Sequence, residues 1–470
     1  MHLHNPLHSP PKIALISLGC AKNLVDSEIL LGSAASAGFE FTSSPQDADI
    51  LVVNTCGFID SAKEESIEAI LEAHQERGMR KRTGQKLVVA GCLSQRFSTE
   101  LARELRNEVD AFLGLDQVAQ AGQIFLSLLS DHPNPTDDPL ILVQRHSLFL
   151  PDWDTPRFRL TPPHYAYVKI AEGCNHPCSF CVIPQMRGRH RSRQIHSIVN
   201  EVRLLVQQGV KEINLISQDT TYYGIDLWPT KPQPSQPLDP SRGPTLIHLL
   251  DELAQIEGDF WIRILYTHPA HWSDALIASI AKNPKVVPYV DIPLQHSHPD
   301  ILNSMQRQTS RQHIEELVAK LRANIPNLAI RTTFIVGFPG ESDAHFHDLL
   351  DFIQTHRFER LGIFTYSQEE GSRAAKLPHQ VPQSVKRQRF HIAMQTQKRI
   401  AQQLALKQVG KTIRILADSQ YSARSQHDAP DIDTKVILKK PLQPGQFHNV
   451  KIISANSYDL VAIAESADIN

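Results

Sequence analysis

The stretch Cys174-Asn175-His176-Pro177-Cys178-Ser179-Phe180-Cys181 sets three cysteines at intervals of four and three residues, directly after the apolar run Tyr165–Ile170. That run reads as a buried strand, so the cysteines belong to the loop leaving its C-terminal end. Three thiolates on one short loop can each take one corner of a cubane cluster. A [4Fe–4S] cluster held by three ligands keeps one iron open. A structural zinc site competes with this reading, although zinc wants four ligands, usually as two separated pairs. His176 would complete such a set only by straining a loop that its neighbours already hold.

Downstream, five further runs read as strands, each followed by a helical stretch: Glu212–Ser217, Trp261–Tyr266, Val286–Ile292, Ile330–Val336 and Leu361–Tyr366. Six βα units predict an α/β barrel or partial barrel, (β/α)6 and TIM-like, over 164–400, with its site at the C-terminal strand ends. A Pro-rich insertion, Trp228 to Pro244, reads as a surface loop. Beyond it, 405–470 holds short runs at Thr412–Leu416, Lys435–Leu438, Val450–Ile453 and Leu460–Ile463, which predict a small antiparallel β-barrel.

Upstream, Cys20, Cys56 and Cys92 are spaced 36 residues apart. Each follows a strand-like run (Ile13–Leu18, Ile50–Val53, Leu87–Ala90), and helical stretches such as Ser61 to Arg77 lie between. Strand, helix, strand predicts a parallel sheet over 11–130. One βα unit per interval places all three thiols at the C-terminal edge of that sheet, where α/β folds bind ligands. Helix N-termini at the same points favour the thiolate. A single cysteine there would suit an ordinary buried strand end; three at equivalent positions predict a second three-ligand cluster.

The chain has 470 residues, which predicts several domains. Both triads use up the six cysteines, leaving none for disulfides, and no basic, then apolar, leader precedes Ile13; a reducing cytoplasm is expected. No apolar run approaches the roughly 20 residues that span a bilayer. Residues 1–10 read as a disordered tail, and 131–163, rich in Pro and Asp, as a linker. A net charge of −2 argues against a general polyanion binder.

Leu18-Gly19-Cys20-Ala21-Lys22-Asn23-Leu24-Val25-Asp26-Ser27-Glu28, Asn54-Thr55-Cys56-Gly57-Phe58, Ala90-Gly91-Cys92 and the Cys174–Cys181 motif together resemble the methylthiotransferases of the radical S-adenosylmethionine (SAM) superfamily, over about 12–465. The resemblance implies an N-terminal cluster domain, a radical SAM domain and a C-terminal TRAM barrel. Gly57-Phe58-Ile59-Asp60-Ser61-Ala62-Lys63-Glu64-Glu65-Ser66 and the Ala423–Asp433 stretch resemble the branch that acts on a ribosomal protein. That branch adds a methylthio group to the β-carbon of an aspartate in small-subunit protein twelve. The alternative is the tRNA adenosine branch, which usually reads Gly-Cys-Gln-Met-Asn at the first cysteine. Between 405 and 470 stand eight Lys or Arg and seven Asp or Glu, so little drives phosphate contacts. A protein partner is expected there and tRNA is not.

The resemblance also implies two [4Fe–4S] clusters, with SAM on the open iron of the Cys174/Cys178/Cys181 cluster, sulfur delivered at the Cys20/Cys56/Cys92 cluster, and an electron donor such as flavodoxin or ferredoxin. No catalytic residue is assigned beyond the cysteines. Phe180 is expected near adenine, Gln218 and Asp219 near the SAM amino group, His296 near ribose, and Gly337 where backbone approaches the cofactor. Each has a plainer reading as loop filler, turn or structural histidine. Arg187, Arg189, Arg191 and Arg193 suit an acidic substrate or the SAM carboxylate, or, for at least half of them, a solvated basic face.

Overall fold

In the computed structural model, which describes residues 9–79, 84–130, 138–232 and 239–464, the first apolar runs become neighbouring strands. β1 (Lys12–Ser17), β2 (Glu40–Phe41), β3 (Ile50–Thr55), β4 (Lys86–Gly91), β5 (Ala111–Leu113) and β6 (Leu140–Leu142) form one sheet, ordered β2-β1-β3-β4-β5-β6. Every pairing is parallel. Parallel neighbours need crossovers, which α1 (Ala21–Ser36), α2 (Asp60–Met79) and α3 (Cys92–Glu104) supply. β3 is buried along its whole length, as a central strand covered on both faces must be. Leu51, Val53, Leu87, Val89 and Phe112 pack there with Ile70, Ala73 and Leu101.

The stretch read as a linker contributes β6, which pairs with β5. An edge strand needs only one bonded side, so three apolar residues suffice between prolines. Residues 1–8 of the expected tail, 131–137 of the linker and 233–238 of the insertion lie outside the described residues. The insertion's ends are anchored: Trp228 is buried, donates from Nε1 to the Pro244 carbonyl (2.7 Å) and carries the Arg242 guanidinium 5.3 Å from its ring.

The chain forms two compact units. One comprises Met1–Leu160, Glu172–Cys174 and Val182–Arg189; the other comprises Thr161–Ala171, Asn175–Cys181 and His190–Asn470. The residues just past the last cysteine therefore fold with the N-terminal sheet.

In the second unit, β7 (Tyr165–Lys169), β8 (Glu212–Ile216), β9 (Trp261–Ile264), β10 (Val286–Asp291), β11 (Ala329–Val336) and β12 (Arg360–Thr365) lie in sequence order in one open sheet. All are parallel, giving the expected partial barrel. Ser273, Ser310 and Ser342 start three of its helices by accepting from the backbone N–H three residues on.

β13 (Thr412–Ala417), β14 (Ser422–Ser425), β15 (Val436–Leu438), β16 (Phe447–Ala455) and β17 (Leu460–Ala464) close into a barrel. Its pairings are antiparallel except β15 with β17. In its 423–433 stretch residues 423–425 and 428–430 are buried, while Asp431 and Ile432 are exposed. Arg424 pairs with Glu212, Arg360 with Asp428 (2.5 Å), and Tyr289 donates to Asp433 (2.6 Å). Arg263 donates to the Gln426 carbonyl (2.8 Å). Glu212 and Arg360 open their strands, so this contact lies at the N-terminal strand ends, away from the site edge. The charges of Arg424, Asp428 and Asp433 are thus paired inside the fold.

Candidate metal centres and cofactor site

β1, β3 and β4 are sheet neighbours, and Cys20, Cys56 and Cys92 follow their C-terminal ends. Cys20 is the N-cap of α1 and Cys92 opens α3. Two glycines let these turns close. A Cβ on Gly19 would lie 2.9 Å from Cys56 Cβ; one on Gly91 would lie 2.3 Å from Asn54 Oδ1 and 2.6 Å from the Thr55 carbonyl. Asn23 Nδ2 donates to the carbonyls of Leu18 (2.7 Å) and Thr55 (3.3 Å), bracing two cysteine turns together. Ser66 Oγ accepts from the Cys56 N–H and donates to the Cys56 carbonyl, both at 3.0 Å.

Burial pushes the Cys92 thiol up to about 12, against the pull of Arg187, and raises Cys56 as well. At Cys20 burial also pushes upward, but Lys22, Arg187 and two backbone N–H groups outweigh it and favour the thiolate. The sets of side chains close enough for a single ion do not include these three cysteines among the described residues. A structural zinc ion wants four ligands; three thiols at adjacent strand ends fit a three-ligand cluster.

The second loop is held residue by residue. Cys174 N–H donates to the Gly188 carbonyl (3.1 Å), Ser179 N–H to Met305 (2.9 Å), and Arg307 Nη1 to Cys178 Sγ (3.4 Å). His176 is spoken for: Nδ1 lies 2.8 Å from Gln308 Oε1 and Nε2 2.7 Å from Asp219 Oδ2. It stacks on His268 at 3.6 Å. With both nitrogens engaged, His176 is a brace for the loop and the zinc reading loses its fourth ligand.

The expected SAM contacts divide. Phe180, half-buried, packs beside Met305, Phe338 and Tyr366, and Gln218, half-buried, lies two residues past β8. Asp219, expected near the SAM amino group, accepts through its carboxylate from the Thr221 and Tyr222 N–H, Thr221 Oγ1, His176 and His271, and it is 2% exposed. Burial raises that carboxyl, but His271 and His176 more than offset it and hold it well below the usual range. His296, expected near ribose, is fully buried, with Nε2 3.7 Å from a Glu341 carboxylate oxygen. Over Gly337, a Cβ would meet Lys386 Cγ at 2.3 Å. Of the four arginines, Arg187 and Arg193 are buried, Arg191 is half-buried and only Arg189 is exposed. Arg193 pairs with Glu201 (2.5 Å).

Sequence reasoning missed Tyr266, two residues past β9, and Gln295, four residues past β10, which have φ of 61° and 74°. Non-glycine residues in the left-handed region concentrate at functional sites. Nothing in Tyr or Gln announces that conformation beforehand. Arg307 and His268 were missed for the same reason: only the fold brings them to the cysteine loop.

Parallel strands leading into a three-cysteine loop define a radical SAM enzyme. A family model described as the Radical SAM superfamily matches residues 168–353, Uncharacterized protein family UPF0004 matches 12–114, and TRAM domain matches 409–464. The chain is 56% identical over 453 residues to the ribosomal protein uS12 methylthiotransferase RimO of Opitutus terrae, covering 96% of each. It is 50% identical to the RimO of Akkermansia muciniphila, over 96% of this chain and 100% of that one. The fold is also that of the radical SAM methyltransferase TsrM from Kitasatospora setae, with a TM-score of 0.52 at 14% identity, over 76% of this chain and 73% of that one. The chain belongs to the RimO family of methylthiotransferases.

Proposed function

We propose that this chain adds a methylthio group to the β-carbon of an aspartate in ribosomal protein uS12, using SAM and two [4Fe–4S] clusters, one per cysteine triad. The observation that carries the reading is the convergence of Cys20, Cys56 and Cys92 on three adjacent strand ends, in a chain similar to RimO along nearly its whole length. When bound, SAM and its cluster supply a 5′-deoxyadenosyl radical for hydrogen abstraction, and sulfur is delivered at the second cluster. Cys174, Cys178 and Cys181 hold the first cluster, while Asp219 fixes the loop through His176. Gln218, just past β8, and Phe180, in the cysteine loop, are the contacts assigned to SAM in this reading, and Arg307 donates to the Cys178 sulfur. A flavodoxin or ferredoxin is the expected electron donor, and tRNA is not the substrate.

The test offers reconstituted enzyme, SAM, sulfide and a chemical reductant to uS12 and, in parallel, to unmodified tRNA. Mass spectrometry should find methylthio-aspartate in uS12 and no new tRNA nucleoside. Modified tRNA with untouched uS12 would overturn the substrate. Unmodified products in both arms, with SAM cleavage intact, would overturn the role of the N-terminal triad.

A further inference from the structure

Arg187 ends the short helix Ile183–Arg187, six residues past Cys181, yet its guanidinium reaches the other cysteine triad. Nη2 donates to Cys92 Sγ (3.2 Å) and to Asp26 Oδ2 (2.9 Å); Nη1 donates to Glu172 Oε1 (3.1 Å) and Oε2 (3.0 Å). Arg187 is 2% exposed, Asp26 2%, Glu172 3% and Cys92 6%. Two carboxylates already over-neutralise the guanidinium, so its own burial does not require a sulfur. The extra bond brings a cation and an N–H to a cluster ligand in a dry setting of Leu115, Val182 and Met186. The backbone fixes that aim. Cys174 N–H donates to the Gly188 carbonyl (3.1 Å), and a Cβ on Gly173 would strike the Arg189 carbonyl at 2.2 Å. Glu172 and Arg187 are thereby zipped side by side.

We infer that Arg187 is a positioning residue that sets the reduction potential of the N-terminal cluster through Cys92, with Asp26 as its counterweight. This rests on the reading that Cys20, Cys56 and Cys92 hold a cluster. Reduction adds negative charge; a buried cation and an N–H···S bond stabilise the reduced form and raise the potential, and a buried carboxylate lowers it. Six residues of chain thus tie the radical-generating loop to the electronics of the sulfur-bearing site.

The experiment uses the full chain with Cys174, Cys178 and Cys181 replaced by Ala, so that one cluster remains, and an EPR-monitored potentiometric titration. Arg187→Gln should lower the potential by about a tenfold change in the one-electron equilibrium, about 59 mV. Arg187→Lys keeps the charge but loses the fork, and should recover part of it. Asp26→Asn should shift the potential upward. Shifts of the same sign in Arg187→Gln and Asp26→Asn, or none, would overturn the role, because mere loosening of the site has no reason to act oppositely. If Arg187→Gln fails to fold, Asp26→Asn decides alone: a rise supports the role and a fall or no change overturns it. A parent without iron would overturn the cluster reading itself and this inference with it.

Discussion

At the scale of single residues, two positions carry the cluster loops without touching a ligand. Gly91 has φ of +95°, and an added Cβ would collide with Asn54 and Thr55 beside Cys56. Gly91→Ala should therefore cut iron from about eight to about four per chain and stop methylthiolation while SAM cleavage to 5′-deoxyadenosine continues. Iron analysis and chromatography of the cleaved nucleoside check this. Asp219 gathers five donors, among them His176 from inside the radical motif. Asp219→Ala leaves those donors buried and unpaired, which should cost about 3–5 kcal/mol of stability and empty the neighbouring cluster. Urea unfolding of the iron-free chain measures the first effect and iron content the second. The cysteines were legible because their chemistry is written in spacing. Asp219 was legible as a polar strand end, but its partner was not, since 43 residues separate it from His176.

At the scale of elements, the C-terminal barrel is joined to the radical SAM strands by buried charge. Arg424 is 4% exposed and lies between Glu212, which is fully enclosed, and Asp418. Arg424→Ala should destabilise the second unit by about 1–3 kcal/mol, because Glu212 loses one buried charge-assisted bond while Arg263 still pairs with it at 2.7 Å. Arg424→Met should lose less than Arg424→Ala, because it keeps the packing of the apolar stem, while Glu212→Gln should cost more, because it takes the carboxylate from both Arg424 and Arg263. Equilibrium unfolding followed by tryptophan fluorescence checks all three. Most strands were predicted within two residues, from apolar runs that hold whichever partner they find. β14 was not, because Ser422-Ala423-Arg424-Ser425 has no apolar alternation. It is a strand because its neighbours bond it and Glu212 accepts its arginine.

At the scale of the whole molecule, five histidines among the described residues (His190, His268, His296, His356 and His427) are held below their ordinary range, in each case chiefly by burial. His427 is held down to about 4. These rings stay neutral in the fold, whereas the unfolded chain protonates them near pH 6.5. As pH falls below about 6.5 the unfolded state binds protons that the folded state refuses, so stability drops progressively toward about pH 4. Denaturation midpoints of the iron-free chain should fall between about pH 7 and about pH 5. His427→Gln should flatten that slope, and an unchanged slope would remove His427 from the account.

What the sequence by itself determined is whatever depends on period and spacing. Apolar runs alternating with helical stretches specify two parallel sheets, and cysteines at strand ends specify where metal chemistry can occur, since both follow from local backbone geometry. What only the tertiary structure decided is which charges meet. Arg187, beside one triad in the chain, serves Cys92 of the other, and the 423–433 stretch turns inward to Glu212, Tyr289 and Arg360. Burying an ion demands a counter-ion at contact distance, and contact distance between residues so far apart in the chain exists only once the strands have stacked.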